Sequence, residues 1–204
     1  MRPVSSFESF LENLRDSKNN TKQLVPIVLI RPCTIIHTRN TQSLDAVFDY
    51  FDVRTGKIQF YMPGYMQSQE ISLRRLLSTL RRNRMQTNAF NIQRLGNIGY
   101  SNQDFTAFVE SLEREIPGYH YYGDTELLLI QYIPGKGDAL GYLDYSIYRR
   151  YNLSILFMDG GYRGLSIFLE QTLHLYKECP TESELLVNID HLYKTMIRSV
   201  DYGE

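Results

Sequence analysis

Tryptophan is absent from this chain of 204 residues, and cysteine occurs only twice, at Cys33 and Cys179. The two thiols lie far apart in sequence and form neither a CxxC pair nor a zinc-ligand spacing. A disulfide framework and a zinc module are therefore not expected, and both thiols are expected to be reduced. Long hydrophobic runs are missing too: no apolar stretch approaches the ~20 residues that span a bilayer. The opening Met1-Arg2-Pro3-Val4-Ser5-Ser6 has no apolar core of the signal-peptide kind. The expectation is a cytoplasmic protein with no membrane partner. Net charge is nearly absent, 22 basic against 23 acidic side chains, so nothing global draws the chain to nucleic acid or to an anionic surface. Neither GxGxxG nor GxxxxGK[ST] occurs, and no internal repeat or low-complexity tract divides the chain.

What is there is ordinary in amount and informative in pattern. Hydrophobic residues make up 43% and charged residues 22%, which suits one globular domain over residues 1–204. Tyrosine is abundant, at 16 residues. Many fall between Tyr119 and Tyr162, where an apolar body with a polar tip suits the rim of a core or the lining of a pocket.

Periodicity supplies the elements. Phe7, Phe10, Leu11 and Leu14 recur at helical spacing, with Ser5 or Ser6 placed to cap, so residues 1–20 read as a helix and a loop. Leu24 to Ile30 reads as a strand, and Pro26 within it argues for a strand end or a sheet edge. A helix is expected from residue 40 or 41, in preference to a hairpin through Arg54–Lys57, and then a strand at 57–62 closed by Pro63-Gly64. Leu73, Leu76, Leu77 and Leu80 form the stripe of an amphipathic helix over 71–84. A short strand is expected at 90–93. Ser101 opens the next helix, which Pro117-Gly118 stops. Tyr119–Tyr122 and Glu126–Ile133 read as strand material, Tyr142–Tyr145 as a short strand and Leu153–Met158 as a buried one. A helix then runs to about Glu178, and Thr181 with Glu184 three residues on marks the start of the last, over 181–200. This alternation predicts an α/β fold: a central mixed β-sheet flanked by helices, closing with two C-terminal helices.

Four places carry candidate chemistry. Asp124 and Glu126 stand two apart at the entrance to Leu127-Leu128-Leu129-Ile130, so they share one face of a strand. Joined by Asp144, they would make a carboxylate site for Mg²⁺ or Mn²⁺, able to activate water against a phosphodiester. The plainer alternative is that Asp124 caps a turn while Glu126 pairs with an arginine at a strand end. Second, Asp159-Gly160-Gly161-Tyr162-Arg163 precedes a helix. Gly160 and Gly161 would offer free backbone N–H groups to an anion, and Arg163 a forked contact; a tight turn without a ligand is the alternative. Third, Arg31 and His37 follow the first long strand, at the kind of edge where α/β sheets hold ligands. Fourth, Arg74, Arg75, Arg81 and Arg82, with Arg84, form an arginine face suited to nucleic acid or to an acidic protein surface, or simply to water.

No complete catalytic set lies at local spacing. The expectation is a binding or regulatory module that recognises a small anionic ligand or a partner protein. One alternative is a metal-dependent phosphodiesterase or nuclease using Asp124, Glu126 and Asp144. The other is a structural subunit that forms homo-oligomers through its final helices.

Overall fold

The computed structural model describes residues 2–16, 20–31, 59–67, 92–95, 98–137, 139–157 and 162–201. Eight strands fall within these: β1 (Arg2–Val4), β2 (Gln23–Leu29), β3 (Tyr61–Pro63), β4 (Tyr65–Gln67), β5 (Ile92–Leu95), β6 (Ile98–Ser101), β7 (Glu126–Ile133) and β8 (Tyr142–Asn152). The helices are α1 (Phe7–Arg15), α2 (Asn102–Glu115), α3 (Tyr162–Glu178) and α4 (Glu182–Asp201). A mixed sheet in the order β1-β3-β2-β7-β8 forms the centre, and a small antiparallel sheet, β4-β6-β5, stands beside it. The α/β fold with a mixed central sheet and two closing helices is thus the architecture found. None of the described helices is long and apolar enough to cross a membrane.

Strand β7 explains why both faces of the sheet are covered. Its eight residues Glu-Leu-Leu-Leu-Ile-Gln-Tyr-Ile are buried up to Tyr132, the near-continuous run of a strand packed on two sides. Register separates the faces. Leu128 pairs with Ile27 and Arg150, and Ile27 with Tyr61, whose ring meets Phe10 of α1 edge-on at 4.9 Å. Leu127 pairs with Tyr151, whose ring meets Phe168 of α3 and Tyr193 of α4. Helices α1 and α2 therefore cover one face, and α3 and α4 the other. Polar ties lock the second pair in place. Gln131 donates to the Glu182 carboxylate, Tyr151 donates to Asp190 at 2.8 Å, and Tyr176 donates to the Leu24 carbonyl at 3.2 Å.

Helix starts follow local chemistry. Ser6 and Ser9 satisfy each other's backbone N–H groups at the head of α1, at 3.0 and 3.1 Å. Ser101 accepts from the Asp104 N–H, and Thr181 from the Glu184 N–H, each at 3.2 Å. Leu165, Phe168, Leu169 and Leu173 of α3 and Leu185 and Ile189 of α4 are buried, as their spacing predicts.

Four local expectations need correction. Leu24–Ile30 is not an edge: β2 lies between β3 and β7 with Pro26 in its middle. Among the described residues β3 pairs with it only at Ile27–Tyr61, so one flank of β2 makes few ladder bonds for the missing N–H to interrupt. Tyr119–Tyr122 is not a strand, because the Tyr121 N–H goes to the Glu113 carboxylate at 2.8 Å instead of to a neighbouring strand. The short strand at Tyr142–Tyr145 is the start of an 11-residue one, with a bulge between the Ile130–Tyr148 and Gln131–Asp144 pairs. Finally, the buried strand at 153–158 is replaced by a 3-10 turn at Ser154–Phe157. Asn152 Oδ1 takes the Ser154 N–H at 2.9 Å, and Leu156 N–H bonds back to Leu153 at 3.0 Å. Leu153 and Leu156, three apart, are both buried by that turn.

Candidate functional site

Strands β1, β3 and β2 run parallel, so their C-terminal ends gather at one end of the main sheet. Antiparallel β7 begins there, with Leu29 opposite Glu126. Such an end is where open α/β sheets hold ligands. Three residues singled out by sequence, Arg31, Asp124 and Glu126, come to this end.

Asp124 and Glu126 are held from one face of β8, by residues two apart on it. Asn152 Nδ2 donates to Asp124 at 2.9 Å, and Ser154 Oγ donates to its other oxygen at 3.3 Å. Glu126 is wholly buried, takes an ion pair from Arg150, and accepts the Tyr119 hydroxyl at 3.0 Å. Burial raises the Glu126 pKa, against the opposing pull of Arg150 and Tyr119. Burial, and then the Glu126 charge beside it, raises the Tyr119 pKa strongly, so this hydroxyl is a donor and stays protonated. Burial opposes the charge on Arg150, but the bond to Glu126 holds its pKa above the usual value. Arg150 also lies 5.4 Å from the Tyr119 ring centroid and 5.5 Å from that of Tyr122. Glu126 thus pairs with an arginine at a strand end, and Asp124 ties the head of β7 to the 3-10 turn.

Asp144 does not join them. It stands opposite Gln131, five positions along β7 from Glu126, roughly 17 Å away at strand rise. Its carboxylate accepts the Ser146 N–H at 3.0 Å within the bulge, and its pKa is lowered first by the Ser146 side chain and then by that backbone bond. The predicted convergence of Asp124, Glu126 and Asp144 is therefore corrected: a one-residue rule put the first two together, but the antiparallel turn sends the third to the far end. Among the described residues no group of three or more His, Cys, Asp or Glu side chains is placed to hold a metal ion.

Arg31 follows β2 and presents a different environment. Its guanidinium carbon lies 5.1 Å from the Phe105 ring centroid and 5.3 Å from that of Tyr121. Its Nε is buried and has no hydrogen-bond partner among the described residues. Phe105 is fixed in the first turn of α2, where Gly64 lets the β3–β4 corner press against it: a Cβ on Gly64 would sit 2.6 Å from the Phe105 Cβ. The tyrosine segment thus divides its rings between two arginines, Tyr121 to Arg31 and Tyr119 with Tyr122 to Arg150.

His37, Gly160, Gly161, Arg74, Arg75, Arg81, Arg82 and Arg84 lie outside the described residues, and Arg163 is placed only as part of the first turn of α3. Sequence reasoning gave no site role to Arg150 or Phe105, and took Tyr119 and Tyr121 only as members of a tyrosine-rich segment suited to a core rim or a pocket lining. The tyrosines around Arg150 recur every three residues and carry no strand period, so only the register with β7 sets it beside Glu126. Compared with known proteins, the chain matches no family model, no curated protein and no solved structure.

Proposed function

We propose that the protein is a binding module for an anionic ligand or an acidic segment of a partner protein, taken at the end of the main sheet where β2 stops and β7 begins. Arg31 is the anchor. One observation carries the reading: a guanidinium flanked by Phe105 and Tyr121, with Nε buried and unbonded among the described residues. Contacts with aromatic rings stabilise such a cation by about 0.5–2 kcal/mol. A buried N–H without an acceptor costs about 1–3 kcal/mol. The two nearly cancel, so Arg31 contributes little to folding by itself, and an incoming carboxylate or phosphate oxygen would satisfy the Nε–H. The nearby Glu126 does not compete, because Arg150 and Tyr119 already engage its oxygens.

The test is a thermal-shift and calorimetric panel using inorganic phosphate, nucleoside mono- and triphosphates, dicarboxylates and a poly-glutamate peptide. At least one anion should raise the melting temperature of the native chain, and Arg31→Met should abolish that rise. A panel without any shift, or a shift that Arg31→Met leaves intact, would overturn the assignment.

A further inference from the structure

On the opposite face of the sheet from Arg150, α3 and α4 form a hairpin with a hollow of about 690 Å³ between them. Leu175 and Leu192 give it an apolar floor, and its lining includes no Asp, Glu, Lys or Arg. The lining residues Gln171 and His174 belong to an α3 row that extends to Ile167 and Glu178, and Asn188, His191 and Thr195 to an α4 row that extends to Glu184 and Arg198. Both rows alternate steps of four and three, the heptad spacing of a helix seam that faces another helix. The core-facing rows are different ones, carried by Leu165, Phe168, Leu169 and Leu173 on α3 and by Leu185 and Ile189 on α4. The seam faces water: Ile167 is 38% exposed, and Glu178, Glu184 and Arg198 are exposed.

We infer that this seam is a self-association surface that pairs with a second copy of the chain across a two-fold axis, the helices of the two copies running antiparallel. Charge placement argues for that occupant. The α4 row is acidic at the hairpin end, at Glu184, and basic at the other, at Arg198; on α3 the hairpin end carries Glu178 beside Lys177. An antiparallel two-fold stacks each α4 row on its reversed copy and sets Glu184 against the copy's Arg198, while the middle of the seam, which carries no Asp, Glu, Lys or Arg, meets its own copy. Shape argues the same way. A two-fold contact must be complementary to itself, and reversing the two rows brings the hollow, centred between Gln171 and Thr195, against the hollow of the copy. Size sets the strength. A helix of 17 residues is about 26 Å long. A two-helix face is about 20 Å wide, so roughly 1,000 Å² is buried in all, at the lower bound of specific interfaces. The polar seam fixes register more than affinity, and the result is a weak, concentration-dependent dimer. The inference is independent of the Arg31 site, which lies at the end of the sheet.

Sedimentation velocity over a concentration series, up to the solubility limit of the full chain, tests it. The native chain should shift from monomer to dimer, and added salt should weaken the shift. Glu184→Arg and Arg198→Glu should each weaken association at least about tenfold through like-charge contact. The double variant should restore it to within about threefold, because the swapped charges again oppose. All substituted side chains are exposed, and circular dichroism melts check that each variant folds. A chain monomeric throughout overturns the inference and leaves the hollow to a small ligand or another protein. A dimer indifferent to both single changes, or singles that the double does not rescue, overturns it as well.

Discussion

Glu126 and Arg150 are bonded diagonally across two neighbouring strands: Glu126 stands opposite Asn152 in the ladder, and its carboxylate is engaged by the residue two before that. Asp124 repeats the offset, reaching Asn152 although Asn152 pairs with Glu126. Diagonal contacts of this kind are within reach of long side chains on one sheet face. Here they hold both carboxylates against β8, and they give structural partners to an acidic pair that looks catalytic in sequence.

Removing Arg150 should be costly. Glu126 is fully buried while 27% of the Arg150 side chain remains exposed, so Arg150→Met strands a carboxylate in the interior and should destabilise the fold by about 3 kcal/mol, near the lower limit for breaking a buried pair. Pairing it with Glu126→Gln should recover much of that loss, since the isolated buried charge is the main penalty. Urea denaturation of the two singles and the double measures the coupling.

The same carboxylate predicts a pH signature. Burial raises the Glu126 pKa in the folded state above its ordinary 4.5, so the folded chain binds this proton more tightly than the unfolded chain does. Its favourable contribution is complete below the unfolded value and is lost as pH rises through the folded one. The stability of the native chain relative to Glu126→Gln should therefore grow as pH falls from neutral toward 4.5. Asp16 and Asp144, whose pKa values are lowered by hydrogen bonds to Arg15 and Ser146, push the other way in both proteins and cancel in the comparison. Denaturation midpoints across that range check the sign, and a difference that shrinks toward acid would show Arg150 and Tyr119 outweighing burial.

Arg31→Met should separate binding from stability. The methionine keeps an apolar stem against Phe105 and Tyr121 and removes the N–H that is unbonded among the described residues. Stability should stay within about 1 kcal/mol of the native chain, or rise, as is common where a binding group is strained by its surroundings. A loss of several kcal/mol would mean that Arg31 is a structural cation.

Gly64 should not tolerate a side chain. It has φ +78°, and a Cβ there would meet the Phe105 Cβ at 2.6 Å, whereas Gly118, with φ +75°, has open space around its Cβ position. Gly118→Ala should cost only the backbone term, about 1–2 kcal/mol. Gly64→Ala adds overpacking, typically another 1–3 kcal/mol. Thermal melts of the two variants isolate the close approach, and with it the seat of Phe105 beneath Arg31.

How much of this was legible can be read from particular residues. The capping pairs at Ser6, Ser101 and Thr181 and the apolar rows of α1, α2, α3 and α4 are local signals, written within one or two helical turns. Strand β7 was equally plain, because a run such as Leu127-Leu128-Leu129-Ile130 has no stable place outside a covered sheet. Ile189 marks the limit of that reading. Apolar spacing puts it on the last helix, one of those expected to meet a copy of the chain, but it is fully buried in the protein's own core, and the exposed row lies on another side of the same helix.

Sequence by itself determined which segments bury themselves and with what period, because hydrophobic spacing and caps act between residues close along the chain. Tertiary structure alone decided that Pro26 sits in an inner strand, that Asp144 stays far from Asp124, that Glu126 falls to Arg150 and that Arg31 is left to Phe105 and Tyr121. Each of those outcomes depends on strand order and register, which couple residues remote in sequence and are set by the packing of the whole sheet.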